Sequence, residues 1–415
     1  MVPSGWVPDY DAGMNSDTLF GAIPFGAAPG RAPWQEPAGI RQNARLQALR
    51  CIHCGAQYPL QDMPTGCPAC AANGTPSSVE AVYSELPRTL APSTSGYSWG
   101  DWLPYTHGVS LGEGRTPCLA LPRLARSLGI HTLTAKHEGM NPTGSHKDRM
   151  SAQAVARALA VGARQVVLAS SGNAAVSAAA YCAAAGLPCE VATYRDMPES
   201  FARALHHLGA RRVAFDPGPG RWAHVRRKVQ EEGAFALTNY NVPAVGSPAF
   251  GVEGYRAVAL ECVADGCVPD HVIVPTARGD LLWGMYSGLR DLLAAGLIAR
   301  MPRLWAVEPF ARLSQVLAGA PAQGDFSGST AQFSTAGGTV TLQQQIAVQR
   351  SGGGAVVVGD ADAARGTAEL GAQGLWVELC AGACVGAAAQ LRQQGRIAPA
   401  DHVLLLLTAK GDRDA

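Results

Sequence analysis

Gly139-Met140-Asn141-Pro142-Thr143-Gly144-Ser145-His146-Lys147-Asp148-Arg149 sets one lysine at the end of a small-residue turn, where an alanine-rich helical stretch begins. The first amides of a helix are free and carry partial positive charge, which favours anions and lowers the pKa of a nearby amine. A lysine so placed and partly desolvated is a candidate Schiff-base nucleophile. The glycine spacing imitates a phosphate loop, but that motif needs lysine directly after its second glycine and then Ser or Thr. Here Ser145 and His146 intervene and Asp148 follows the lysine, which excludes a nucleotide-binding loop.

Four of the eleven cysteines are organised as Cys51-Ile-His-Cys54 and Cys67-Pro-Ala-Cys70, a CxxC-x12-CxxC pattern in turn-forming contexts. Two such knuckles can set four thiolates tetrahedrally around zinc at about 2.3 Å. Four thiolates leave no open position for substrate, so the expected metal is structural. Thiol redox chemistry is the weaker option, because no βαβ pattern surrounds either pair. The remaining cysteines are scattered in mostly apolar surroundings and read as reduced core thiols.

From about residue 102, short β-branched runs alternate with helical ones. Strands are expected at 165–169, 188–193, 212–215, 271–275, 304–307 and 403–407, and helices at 172–185, 199–208, 281–295 and 383–394. Val403-Leu404-Leu405-Leu406-Leu407 suits a strand buried on both faces. The alternation implies parallel sheets with right-handed crossovers, in which ligands bind beyond the carboxyl ends of strands. Three stretches sit at such ends: Ser170-Ser171-Gly172-Asn173-Ala174-Ala175, Pro275-Thr276-Ala277-Arg278-Gly279-Asp280-Leu281 and Thr408-Ala409-Lys410-Gly411-Asp412. The first opens a helix whose free amides suit a carboxylate, although its Ser and Asn could equally serve as a plain cap. In the second, Arg278 either offers a charge-assisted contact to a phosphate or pairs with Asp280.

The 139–149 stretch resembles the Asn-Pro-Thr-Gly-Ser-Phe-Lys-Asp-Arg signature of threonine synthases and their relatives among fold type II pyridoxal-phosphate (PLP) enzymes, with His146 in place of Phe. The three strand-end stretches, Glu113-Gly114-Arg115-Thr116-Pro117 and Glu378-Leu379-Cys380-Ala381-Gly382-Ala383 are similar to segments of that family in the same order. The resemblance implies an α/β fold of two lobes, with parallel or mixed sheets flanked by helices and an N-terminal zinc-ribbon-like appendage. It implies that Lys147 carries PLP as an imine and removes the Cα proton of an amino-acid substrate. Asn173 would bond the ring's 3′-oxygen. Thr276, Ala277, Arg278, Gly279 and Asp280 would hold its phosphate, although only Gly279 remains of a glycine-rich loop. Thr408 would face the pyridine nitrogen; a neutral hydroxyl there suits elimination and replacement more than transamination. Ser170, Ser171, Gly172 and Ala174 are implied in holding the substrate carboxylate, with His146 on the substrate side, and Cys380 packs nearby without a chemical role.

The domain organisation expected is an irregular arm at 1–50, the metal knuckles at 51–75 and a linker at 76–101. The large PLP-binding domain follows from 102–140 and 251–415, and the small domain, carrying the lysine and the asparagine loop, from 141–250. An apolar content of 47% with 16% charged residues fits a globular enzyme, and a net charge of +1 leaves no electrostatic footprint for nucleic acid or a membrane surface. No apolar run reaches spanning length, and the first residues lack a basic region followed by an apolar core, so a cytoplasmic location is expected. A homodimer is left open.

The 239–256 stretch bears on which reaction is run. Threonine synthases carry Asn-Pro-x-Arg-x-x-Gly-x-Lys here, and the arginine helps grip the substrate phosphate. This chain keeps Glu253-Gly254 but has no arginine between Asn241 and Gly251. Losing such an anchor costs about 2–4 kcal/mol of binding unless another cation replaces it; Arg256, Arg278, Lys136 and His146 are the candidates. The expected activity is a PLP-dependent lyase or synthase of the threonine synthase type. It would expel a leaving group, phosphate first among them, from the β or γ carbon and add water or another nucleophile. The alternative is a β-eliminase or β-replacement synthase, diaminopropionate-lyase-like or cysteate-synthase-like. An alternative of another class is a non-catalytic ligand-binding scaffold, which the retained lysine, asparagine and threonine oppose.

Overall fold

A computed structural model of the chain describes residues 39–90, 97, 99–324 and 326–413. Most of the expected N-terminal arm therefore lies outside the described residues. A six-stranded sheet runs in the order Gly354–Val357, Arg303–Glu308, His271–Pro275, His402–Leu407, Thr132–His137 and Cys118–Ala120. Its strands are parallel except for Cys118–Ala120 at one edge, which is antiparallel. A second, four-stranded sheet is parallel throughout, in the order Arg211–Phe215, Cys189–Tyr194, Val166–Ala169 and Phe235–Ala236.

Helices cover these sheets, so the central strands are buried on both faces and read as unbroken apolar runs. Val403 through Leu407 are all fully buried. The helices that read clearly in the sequence have no side-chain hydrogen bond at their N-caps. Asn173–Ala185 is built almost entirely of small residues and stops at Gly186 in the left-handed region. The helices Gly220–Glu232, Arg256–Ala264, Leu342–Ser351 and Asp360–Gly371 and the strands Thr132–His137, Cys118–Ala120 and Gly354–Val357 were not expected from the alternation. Their turns are short, and their polar faces blur the period on which such a reading rests.

The two CxxC pairs flank a three-stranded antiparallel sheet of Gln57–Tyr58, Leu46–Cys51 and Val79–Tyr83: Cys51 ends one strand and Cys54 the turn after it, while Cys67 and Cys70 lie at the short helix Pro68–Ala72. Leu46–Cys51 falls almost wholly in the stretch read as an irregular arm, and Val79–Tyr83 in the stretch read as linker. The pairing slips between Leu46 and Ala48, which breaks the alternation that would otherwise mark a strand. The sheet is joined to the catalytic body through Phe250 and Ala156 in one apolar cluster, and through Glu253, which accepts from the Ala81 amide at 3.2 Å and the Tyr83 hydroxyl at 3.3 Å.

The lysine-bearing helix, Lys147–Ala160, is anchored by charge. Arg149 is buried and bonds Glu138 through Nε and Nη2 at 2.6 and 2.8 Å, and Glu261 through Nη1 and Nη2 at 2.6 and 2.7 Å. Lys136, fully buried, adds a contact to Glu261 at 2.8 Å, so two cations face two carboxylates. Burial alone would raise both carboxyls, but Arg149 outweighs it and holds Glu138 and Glu261 below the usual carboxylate range. Gly254 packs onto the same spot: a Cβ there would stand 2.1 Å from the Arg149 carbonyl oxygen, which no side chain could tolerate.

Breaking such a group by removing one partner strands buried charge. Arg149→Met should lower the unfolding free energy by about 3–5 kcal/mol in a urea titration at pH 7, and a loss under about 1 kcal/mol would contradict the anchoring role. The folded-state carboxyl values lie below the unfolded ones. The cluster's contribution is therefore complete above about pH 4.3 and disappears as pH falls through the depressed values, a slope that Arg149→Met should flatten.

Candidate active site

The carboxyl ends of strands from both sheets open onto one cavity of about 200 Å³. Its walls include Lys147 and His146, residues 170–174, residues 276–280, and Thr408. The segment that carries the lysine is sewn to the end of the last strand. The His146 amide and its Nδ1 lie 3.0 and 3.1 Å from the Thr408 carbonyl oxygen, and the Lys410 amide donates to the Gly144 carbonyl at 3.1 Å. Asp148 closes the turn behind the lysine by accepting from the Thr143 amide at 2.7 Å. Asn141 ties it to the 113–117 turn through the Gly114 amide at 2.9 Å.

The Lys147 amine makes no hydrogen bond or ion pair among the described residues; the Tyr255 ring centre lies 5.7 Å away. Desolvation pushes that amine below its ordinary value and Arg278 adds to the push, while Asp280 and Glu378 oppose it. His146 is buried, and desolvation followed by the neighbouring Lys147 hold its imidazole well below its usual range, so it is neutral and donates from Nδ1 to Thr408.

At the 170–174 turn, Ser170 Oγ accepts from the Gly172 amide at 3.3 Å, while Ser171 Oγ accepts from the Tyr194 amide at 3.0 Å and the Thr193 hydroxyl at 2.9 Å. Asn173 and Ala174 stand at the free N-terminus of their helix. Asn173 Nδ2 lies 3.3 Å from Glu378, and its Oδ1 is buried with no partner. At the opposite wall, Gly279 adopts φ +85° as the residue before the Asp280–Ala294 helix, a conformation that favours glycine. Thr276 spends its hydroxyl on the Val274 carbonyl at 2.8 Å.

Two alternatives for Arg278 are thereby separated. Asp280 accepts from the Ser247 amide and hydroxyl at 3.1 and 2.6 Å and from Gln343 Nε2 at 2.6 Å, and forms no ion pair with Arg278. Arg278 stays on the cavity wall with its Nε buried and unpartnered, 5.7 Å from the Trp222 ring centre. An orphaned guanidinium, an orphaned amide oxygen and an unpartnered amine around one cavity fit a polar ligand carrying an anionic group and a carbonyl carbon open to attack, as PLP does. In that fit Lys147 would hold the aldehyde carbon, Asn173 the ring oxygen, and Arg278 with the Asp280–Ala294 helix start the phosphate.

Of the cations expected to replace the missing anchor, Arg256 and Lys136 do not reach the cavity. Arg256 is locked against Glu253 and the Trp102 carbonyl, each at 2.8 Å, and Asp291 at 2.5 Å. Lys136 serves the buried charge cluster instead. Three cavity residues not expected among the site residues are Glu378, Arg221 and Tyr194. Glu378 accepts from the hydroxyls of Thr408 at 2.7 Å and Ser334 at 2.9 Å as well as from Asn173. It was legible as part of a family segment but not as a cavity wall. Arg221 lies on a helix that the sequence did not announce, and only its Pro-Gly-Pro-Gly lead-in hinted at a helix start.

The four cysteines of the ribbon stand together as well. Their Sγ atoms all lie within 4.8 Å of one another, with Cys51 to Cys70 at 3.6 Å and Cys54 to Cys67 at 3.7 Å. No helix among the described residues is long and apolar enough to cross a membrane.

Comparison with known proteins agrees with this geometry. The pyridoxal-phosphate dependent enzyme family matches residues 109–409. A threonine synthase of Methanosarcina acetivorans is 29% identical over 384 residues, covering 87% of this chain and 90% of that protein. A threonine synthase of Mycobacterium leprae is 36% identical over 212 residues, about half of each chain. Among solved structures, maize serine racemase superposes with a TM-score of 0.63 at 20% identity over 72% of this chain and 88% of its own. A PLP-dependent aspartate racemase does so with 0.61 at 21% over 71% and 90%. At that identity the two structures establish the fold alone, a two-lobed α/β architecture of fold type II. The chain belongs to the pyridoxal-phosphate dependent enzyme family, as a threonine synthase-like member.

Proposed function

We propose that this chain is a lyase or synthase that removes a leaving group, phosphate in the first reading, from the β or γ carbon of an amino acid and adds water or another nucleophile. The observation that carries this is the unpartnered, desolvated amine of Lys147, facing a cavity whose other walls offer Asn173, Arg278 and Thr408. When bound, PLP supplies an electron sink for negative charge at the substrate's Cα. The residues of the chain do the rest. Free amides at Asn173 and Ala174, with Ser170 and Ser171 beside them, bind the α-carboxylate and fix which Cα bond faces Lys147. Desolvation lowers the pKa of Lys147 and so favours the neutral amine that takes the Cα proton. His146, neutral and bonded to Thr408, keeps a second positive charge away from that amine. Thr408 presents a neutral hydroxyl already committed to Glu378, which suits elimination and replacement.

A β-elimination or β-replacement is the second reading. It is favoured by one observation: the 239–256 stretch contributes Ser247 but no cation to the cavity wall. Residues 102–140 with 251–415 are read as the cofactor-binding lobe and 141–250 as the smaller lobe. The ribbon's four thiolates are assigned a structural zinc, since a tetrahedral site with Zn–S bonds of about 2.3 Å has S–S edges of about 3.8 Å.

Purified protein given PLP should show a near-visible absorption band that borohydride bleaches, with the label fixed on Lys147; Lys147→Ala should show neither. A chain that stays colourless would leave only the scaffold reading. Phosphate release from O-phosphohomoserine but not from O-phosphoserine supports the γ-reaction, and the converse supports the β-reaction; release from neither would remove phosphate as the leaving group. Metal analysis should return about one zinc per chain. Cys67→Ser should lose it and melt earlier while keeping the absorption band, and a chain that purifies without metal would refute the assignment.

A further inference from the structure

Resting on the reading above, we infer that Arg221 is the specificity-determining residue of the cavity, holding an anionic group on the side chain of the amino-acid substrate. Its guanidinium carbon lies over the Tyr194 ring, 3.4 Å from the ring centre, and Nη1 donates to Ser171 Oγ at 3.1 Å. Stacking on an aromatic face holds the guanidinium plane in one orientation while leaving its donor edge free, as bidentate recognition of a carboxylate or phosphate requires. Yet Arg221 forms no ion pair among the described residues, and its Nε is buried with no hydrogen-bond partner. A buried donor left unmade on a permanent cation is unfavourable until an anion arrives.

The charges around the cavity show which anion is missing. Asp280 is held by Ser247 and Gln343, and Glu378 by Thr408, Ser334 and Asn173. Neither is free to neutralise an arginine, and Asp196, which is exposed and within electrostatic reach of Arg221, forms no ion pair with it. Arg278 stands at the start of the Asp280–Ala294 helix, where the cofactor phosphate fits, and it is close enough to Arg221 for the two cations to oppose each other. The substrate's α-carboxylate has the free amides of the 170–174 turn. Arg221 is left over, bonded to Ser171 Oγ rather than to an anion, and the group that answers it belongs to the rest of the substrate. The anchor absent from 239–256 is thus supplied from a different helix, Gly220–Glu232.

The test uses the PLP-loaded full chain and reads the shift of its near-visible band on titration with O-phospho-L-serine, L-glutamate and neutral L-2-aminobutyrate. The unmodified protein should bind at least one of the acidic probes about 10-fold or more tighter than the neutral one. Arg221→Met should weaken that acidic probe about 10–100-fold and leave L-2-aminobutyrate within about 3-fold. Arg221→Lys, which keeps the charge but not the fork, should fall between the two and report on the site should the Met variant fail to fold. Equal weakening of acidic and neutral probes would overturn the inference and give Arg221 to the α-carboxylate. Unchanged binding of every probe would overturn it as well. Protein that develops no band with PLP would overturn the underlying reading and the inference with it, whereas a normal band without acidic preference overturns the inference alone.

Discussion

One guanidinium holds the start of the lysine-bearing helix in place. Arg149 sits two residues beyond Lys147, at the start of the same helix, and is clamped bidentately between Glu138 from the preceding turn and Glu261 from a helix more than a hundred residues later. A buried ion cluster of this kind adds little to stability compared with a well-packed apolar substitute, because desolvation offsets much of the attraction. What it does supply is direction. Two planar forks meeting at fixed angles admit one orientation of the helix start, and the lysine's reach into the cavity follows from it. The same cluster recruits Thr116, whose hydroxyl donates to Glu138 at 2.6 Å, and the Arg115 amide, which donates to Glu261 at 2.8 Å.

Much of what resembles a catalytic signature is therefore scaffolding. Within the 139–149 segment, Asn141 braces the 113–117 turn, Asp148 closes the loop, Arg149 anchors the helix, and His146 pins the loop to the last strand. Only the amine of Lys147 is left without a partner. The same logic separates the three arginines named as relevant to anions. Arg256 is spent on ion pairs with Glu253 and Asp291, although its Nε too lacks a partner, whereas Arg278 and Arg221 form no ion pair among the described residues and line the cavity wall. In an interior where polar groups are nearly all paired, such exceptions are the informative ones.

The four-cysteine appendage is coupled to this wall through a short relay. Ser78, one residue before a ribbon strand, donates to Gln343 at 3.3 Å, and Gln343 in turn donates to Asp280 at 2.6 Å and to the Arg278 carbonyl at 3.1 Å. The appendage thus supports the loop assigned to the cofactor phosphate from behind, which gives it a positional role without any need to touch substrate.

Local pattern alone determined the parallel α/β class, the central strands, the three strand-end loops, the lysine and the two CxxC pairs. Each is written in contiguous residues: an apolar run such as 403–407, a small-residue turn before a helix, or a fixed ligand spacing. The ribbon's outer strands and the 220–232 helix were not legible, because a slipped pairing or a polar face erases the period. Whether Arg278 pairs with Asp280, whether Arg256 or Lys136 reaches the cavity, and whether Arg221 matters at all were decided only by tertiary structure. The physical reason is that a charged side chain's role depends on which opposite charges lie within a few ångströms of it. Those neighbours come from residues as distant in sequence as Glu261 is from Arg149.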